Sequence, residues 1–326
     1  MKTPAARILI VVATVALPAG NAAAQDAAGF PARSVRLVVP FSVGGASDIM
    51  ARVASPRLTE AWGQQVIVDN RTGADGRIAT EIVAKSVPDG YTLLVVEPAF
   101  VIAPGLFSKL PFDVNRDFTP VVLLGKAPQV FVVHPSFPAR TVKEFIAIAK
   151  ARPDDLNFAS PGTGSAGHLA GEQLRTLARI QFVHIPYKGA APALVDLLAG
   201  QASFAFVSVA SALTNVKGGK LRALAVTTPE RFAALPETPT LDEAGVKGFD
   251  TKQWWGVVAP SATPKPVITR LNADFVKAMN APEARERVST LGAEVTTTTV
   301  EAFGTYLAEE TTKWGKIVRA SGAKAD

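Results

Sequence analysis

Short apolar runs rich in β-branched residues alternate with segments of helical spacing from Ser34 to about Thr228. Such runs, bounded by turn formers, suit buried strands, and their alternation with helices suits a sheet covered on both faces. The predicted strands are Val35 to Val39, Gln65 to Asp69, Thr92 to Glu97, Val121 to Gly125, Val130 to His134, Asn157 to Ser160, Phe182 to Ile185, Phe204 to Val207 and Ala223 to Thr227. Helices are expected to begin at Ser47, Gly76, Thr141, Ser165, Ala191 and Pro264, and near Pro282 and Val300. Pro56 falls inside the first of these and should kink it, since it removes one backbone bond. After Trp254, Trp255 and the short run Gly256 to Ala259 the chain turns helical. There Ile268, Leu271, Phe275 and Met279 recur at three- and four-residue steps, the spacing of a helix packed on an existing sheet.

This pattern predicts an α/β protein of two lobes, each a mostly parallel sheet flanked by helices, joined by two crossings. The crossings are expected near Leu124 to Gln129 and Phe249 to Trp255. Residues 25–127 together with 253–326 would form lobe 1, and residues 128–252 lobe 2. A length of 326 residues exceeds the ~100 to 200 usual for one domain and fits two lobes.

The first residues change what the rest can be. Lys2 and Arg7 form a positive start, Ile8 to Leu17 an apolar run, and Ala22-Ala23-Ala24 a small-residue cleavage site. Residues 1–24 therefore read as a signal peptide cleaved near Ala24, and the mature chain is expected in the periplasm. The apolar run is shorter than the ~20 residues a membrane span needs. With no cysteine there is no disulfide, no thiolate nucleophile and no lipid attachment at a cleavage-site cysteine, so stability must come from core burial. The formal charge of +6 drops to +4 without Lys2 and Arg7. The remaining cations are scattered, and no basic-aromatic stripe supports nucleic-acid binding.

Candidate chemistry is concentrated in strand-to-helix turns. Phe41-Ser42-Val43-Gly44-Gly45-Ala46-Ser47-Asp48 joins the strand ending at Val39 to a helix, with Ser47 placed as its N-cap. Glycines let a ligand approach the main chain closely, and the unpaired amides of the first helical turn attract an anion such as a carboxylate. An ordinary capped turn without a ligand is the competing reading. Ser160-Pro161-Gly162-Thr163-Gly164-Ser165 repeats this chemistry before the helix that carries His168. If each lobe contributes one turn at the carboxyl edge of its sheet, the two face each other across a cleft. A third turn, Pro186 to Pro192, offers Tyr187 as a hydroxyl or flat wall and Lys188 as a cation.

Two patterns resemble catalytic motifs, and three histidines invite comparison with a metal site. Gly162 to Gly167 matches G-x-G-x-x-G, but no acid follows at the spacing a dinucleotide ribose needs. Thr163 to Gly167 approaches the G-x-S-x-G elbow of hydrolases with Thr163 in place of the first glycine, so a secreted serine hydrolase using Ser165 is the alternative function. His134, His168 and His184 show no metal-ligand spacing. No catalytic residue, metal or cofactor is expected.

Ordered stretches along nearly the whole mature chain are similar to the Bug family, the periplasmic binding proteins of tripartite tricarboxylate transporters. They include Arg36 to Phe41 with Gly44 to Asp48, Gly63 to Arg71, Pro88 to Thr92, Ser160 to Ser165 with His168, His184 to Gly189, Gly219 to Val226 and Pro239 to Gly245. The resemblance implies a type II periplasmic binding fold that closes like a flytrap on a small organic acid and delivers it to a membrane permease. It implies a first cradle from Phe41 to Ser47, a second from Ser160 to Ser165, and His168 and Tyr187 beside the cleft, and a monomer is expected. Two positions depart from the family pattern. The stretch Phe204 to Val209 lacks the Asp of many relatives and offers only Ser208, and Glu97 stands where relatives usually have small or polar residues. A Glu97 that faced the cleft would repel a polyacid and favour a monocarboxylate carrying a donor group.

Overall fold

The computed structural model describes residues 29–187, 189–249, 251–290 and 292–321, so the predicted signal peptide and Lys188 lie outside the described residues. The first half of the chain builds β1 (Val35–Val39), α1 (Ala46–Trp62), β2 (Val66–Asn70), a single 3-10 turn (Ala74–Gly76) and α2 (Arg77–Ala84). Then come β3 (Thr92–Val96), α3 (Pro98–Leu106), β4 (Phe118–Val133), α4 (Val142–Ala151), β5 (Asn157–Ser160) and α5 (Ala166–Ala178). They are followed by β6 (Val183–Pro186), α6 (Ala190–Leu198), β7 (Phe204–Ser208), α7 (Val209–Lys217) and β8 (Arg222–Val226). The chain ends with β9 (Lys252–Pro260), α8 (Lys265–Asn280), α9 (Pro282–Thr290), β10 (Glu294–Val295) and α10 (Val300–Ser321).

These strands form one continuous sheet in the order β2-β1-β3-β9-β4-β7-β5-β6, with β8 and β10 each paired to β4 off this path. It divides into two lobes. Parallel pairing joins β1 to β2 and β3, and joins β5 to β6 and β7. The expected mostly parallel sheets are in fact mixed, because β4 and β9 run antiparallel to the strands they meet in either lobe. Those two strands are the crossings.

Val121 to Gly125 and Val130 to His134, predicted as separate strands, belong to one strand of 16 residues. The polar and proline positions between them read as a break, but Lys126, Ala127 and Pro128 are held in the ladder opposite Trp254, Gln253 and Lys252. Two helices went unpredicted. Helix α3 is apolar almost all round and carries Pro104, so it has no polar face to reveal its period. Helix α7 follows Ser208 with no turn residues between them. Pro56 lies within an unbroken α1.

Strand alternation assigns the core. In the first lobe Leu37, Val39, Leu93, Val95, Trp255 and Val257 point to the layer containing α1 and α8, while Val38, Leu94, Val96, Trp254 and Val258 point to that of α3 and α10. In the second, Phe131, Phe204 and Phe206 pack with α4 and α5, and Val130, Ala205 and Val207 with α6 and α7. Burial on both faces is why these strands read as continuous apolar runs. The predicted stripe Ile268, Leu271, Phe275 and Met279 is buried on the first lobe. Helix α10 packs on α3, β4 and α5, so one helix touches both lobes.

Candidate functional site

Parallel pairing puts the carboxyl ends of β1, β2 and β3 at one edge, and those of β5, β6 and β7 at another. Every turn singled out from the sequence leaves one of these edges. The two glycine turns have the same conformation. In each, an amide closes on the carbonyl three residues back at 3.1 Å, Gly45 on Ser42 and Ser165 on Gly162. Gly44 and Gly164 take φ of 80° and 82°, in the left-handed region that only glycine enters without strain. The next residue caps the helix, with φ and ψ of −72° and 164° at Gly45 and −69° and 157° at Ser165.

The side chain four residues beyond each left-handed glycine accepts that glycine's amide. Gly44 N–H donates to Asp48 Oδ2 at 2.9 Å, and Gly164 N–H to His168 Nδ1 at 3.1 Å. Those amides are therefore used within the turns, and the groups left for a ligand are the first-turn amides of Ala46 and Ser47 and of Ala166 and Gly167. Asp48 is buried and held below the usual carboxylate range: desolvation opposes this, but hydrogen bonds from Arg52, Gly44 and Asn70 outweigh it. Ser47 is not the expected N-cap. It sits in the first turn, buried, and its hydroxyl donates to Glu97 Oε2 at 2.5 Å. Of the remaining first-turn residues, Phe41 and Ala46 are half-buried and Ser42 is exposed.

Behind the second turn lies a histidine pair. His168 and His184 stack with centroids 4.1 Å apart, and His184 Nε2 meets Ser160 Oγ at 2.6 Å. Burial first, then the nearby His184 and Arg175, lowers the His168 pKa to about 3; burial and Arg175 lower that of His184 to about 4. A neutral His168 is what acceptance of the Gly164 amide requires. Ser160 Oγ also accepts the Gly162 amide at 3.2 Å, and Ser165 Oγ accepts the His168 amide at 3.1 Å as a helix cap. Among the described residues no histidine ring is bonded to Ser165. Thr163 is half-buried at the tip of this turn.

Two further predicted residues have partners within the protein. The Tyr187 hydroxyl donates to Asp196 at 2.5 Å, which raises its pKa to about 12, so its proton is used there and its ring and oxygen lone pairs are left for a ligand. Ser208 Oγ bonds Ser211 Oγ at 2.9 Å at the end of β7. Its ladder partner Gln129 has a buried side-chain oxygen without a hydrogen-bond partner.

The segment after β2 was missed from the sequence as a site element. Ala74 and Asp75 both have left-handed φ, and Gly76 has φ of 86°. Gly76 lies against Pro40 and Phe41 of the first turn, while a Cβ built on Gly162 of the second would stand 3.8 Å from Asp75 Oδ1. One segment thus stands between both turns. The signal available was Gly73-Ala74-Asp75-Gly76, a third glycine-rich strand-to-helix turn at the same edge. Asp75, Gly76, Phe41 and Glu97 line one narrow pocket with Arg77 and Phe100. Burial lifts the Glu97 carboxyl to about 7, against hydrogen bonds from Ser47 and Gln253 that favour its ionised form. Among the described residues no cluster of three His, Asp or Glu side chains could hold a metal ion, and no helix is long and apolar enough to cross a membrane.

Residues 50–323 match the model of the tripartite tricarboxylate transporter family receptor. Three solved structures are similar over most of the chain. The R. palustris protein Rpa4515 with adipate is 34% identical, covers 91% of this chain and all of that one, and superposes with a TM-score of 0.85. MatC from Rhodopseudomonas palustris with bound malate is 33% identical over 89% of this chain and all of its own, with a TM-score of 0.82. The periplasmic binding protein BugD is 34% identical, covers 91% and 100% of the two chains, and has a TM-score of 0.84.

Proposed function

Because this chain belongs to the tripartite tricarboxylate transporter receptor family, we propose that it captures a small organic acid between its lobes and delivers it to the integral membrane permease of such a transporter. The family is a substrate-binding receptor family and not an enzymatic one. Its members include periplasmic binding proteins, and two similar structures hold the carboxylates adipate and malate. The mature protein acts in the periplasm as a monomer, after removal of residues 1–24.

The observation that carries this reading is the repetition of one turn conformation in both halves of the molecule. Two helix starts with identical closing bonds and matching glycine φ angles supply two sets of amides to one anionic guest. Phe41 to Ser47 serve as one cradle and Ser160 to Ser165 as the other, with Asp48 and His168 acting behind them as acceptors that hold each glycine in place. The lobes divide at 127/128 and 252/253. The ladder pairs Ala127 with Gln253 and Pro128 with Lys252, which supports a boundary crossing both strands at one level.

Calorimetry and thermal shift against a library of small carboxylates test the proposal. A ligand at 100-fold its Kd should stabilise the protein by about 2.7 kcal/mol without being consumed. Absence of heat and of stabilisation with every acid would overturn it.

A further inference from the structure

We propose, resting on the carboxylate-binding reading above, that Glu97 and Asp75 make this pocket selective for a monocarboxylate whose other end carries an ammonium or a hydroxyl donor. Both acids line the same pocket, Glu97 from the end of β3 and Asp75 from the turn before α2. The donors beside Glu97 are already used. Ser47 gives its proton to Oε2, and Gln253 hydrogen-bonds the same carboxyl. When ionised, what Glu97 presents beyond these two contacts is acceptor capacity.

Asp75 has no hydrogen bond or ion pair to another described residue, and its pKa is raised by desolvation, with Arg77 acting in the opposite direction. Arg77 is the one cation among the described residues lining the pocket, and its guanidinium is held to one side. Its guanidinium lies 3.7 Å above the Phe107 ring, and its Nε donates to the Ala74 carbonyl at 3.0 Å. Asp48, the next acid along the first turn, is paired with Arg52. A diacid would bring a second carboxylate to a wall whose described lining residues already set two acids against one cation. An ammonium meets two acceptors there, and a hydroxyl meets at least one. The wall selects by repulsion as well as by attraction.

The test uses the full mature chain and three probes of equal length: adipate, the analogue with an ammonium in place of one carboxylate, and the analogue with a hydroxyl there. The same series built on succinate covers a shorter pocket. Titration calorimetry should rank ammonium over hydroxyl over dicarboxylate, with about tenfold or more between the first and last. Glu97→Gln should reduce that ratio to near one, chiefly by weakening the ammonium probe and strengthening the diacid, and Asp75→Asn should act in the same direction. Circular dichroism and melting of each variant separate misfolding from altered preference. A wild type that prefers the diacids, or a ratio unmoved in both folded variants, overturns this inference and leaves carboxylate binding standing. No heat with any probe, joined by none across the wider acid library, overturns carboxylate binding itself and this selectivity with it.

Discussion

Glu97 and the two stacked histidines titrate in opposite senses, and the protein's pH stability follows from the difference. Burial raises Glu97 from 4.5 to about 7, so the stability it contributes is complete below about 4.5 and lost as pH rises through about 7. His168 and His184 are lowered from 6.5 to about 3 and about 4, so theirs is complete above 6.5 and lost as pH falls towards those values. The acid limb of a urea-midpoint profile should flatten in His184→Asn, and the limb between about pH 4.5 and pH 7 should flatten in Glu97→Gln. Identical profiles for wild type and Glu97→Gln would mean that this carboxyl is not held in an apolar setting. The two glycine turns were legible because a strand, closely spaced glycines and a helix start follow one another in sequence, whereas the N-cap role expected of Ser47 belongs to Gly45. The roles of Asp48, His168 and Tyr187 were not legible, because which neighbour a side chain bonds depends on how the turn closes.

Among the elements, the two glycine turns respond differently to the same substitution. Both Gly44→Ala and Gly164→Ala place a side chain at a φ near +80°, at about 1 to 3 kcal/mol of strain. Space around Gly44 is open, whereas a Cβ on Gly164 would meet Leu106 Cδ1 of α3 at 2.5 Å. Chemical denaturation should therefore find Gly164→Ala the more destabilising of the two. Helix α10 is fastened by Glu310, a buried carboxylate that accepts from Trp254 Nε1 at 3.0 Å and Trp314 Nε1 at 2.9 Å, with Lys313 also bound to it. Glu310→Leu leaves both indole donors without an acceptor, and we expect a loss of about 2 to 4 kcal/mol, read from tryptophan fluorescence during urea unfolding. A loss below 1 kcal/mol would show that water replaces the carboxylate.

At the scale of the whole molecule, β4 and β9 run through both lobes as an antiparallel pair. Under the proposed function, bending of those strands would rotate one lobe on the other, and ligand binding should lower the radius of gyration measured by solution scattering. Leu106 of α3, which lies against Gly164, shares a core cluster with Ala166 and Leu169 of α5 and joins the two lobes. Leu106→Ala removes part of that contact without changing a residue of either turn, so ligand affinity should fall several-fold while the ligand ranking stays the same. An altered ranking would place Leu106 in the pocket itself.

Hydrophobic periodicity and turn chemistry were enough to determine an α/β chain with strand-to-helix glycine turns, because a parallel strand buried on both faces and a helix start each leave a local mark. The tertiary structure alone decided that two apparent strands are one crossing, that α3 and α7 exist, and that Asp75 stands between the two turns. Each of these rests on partners distant in sequence. Ladder pairing carried Ala127 and Pro128 through a stretch that locally reads as a break, and burial all round removed the polar face by which α3 could have been recognised.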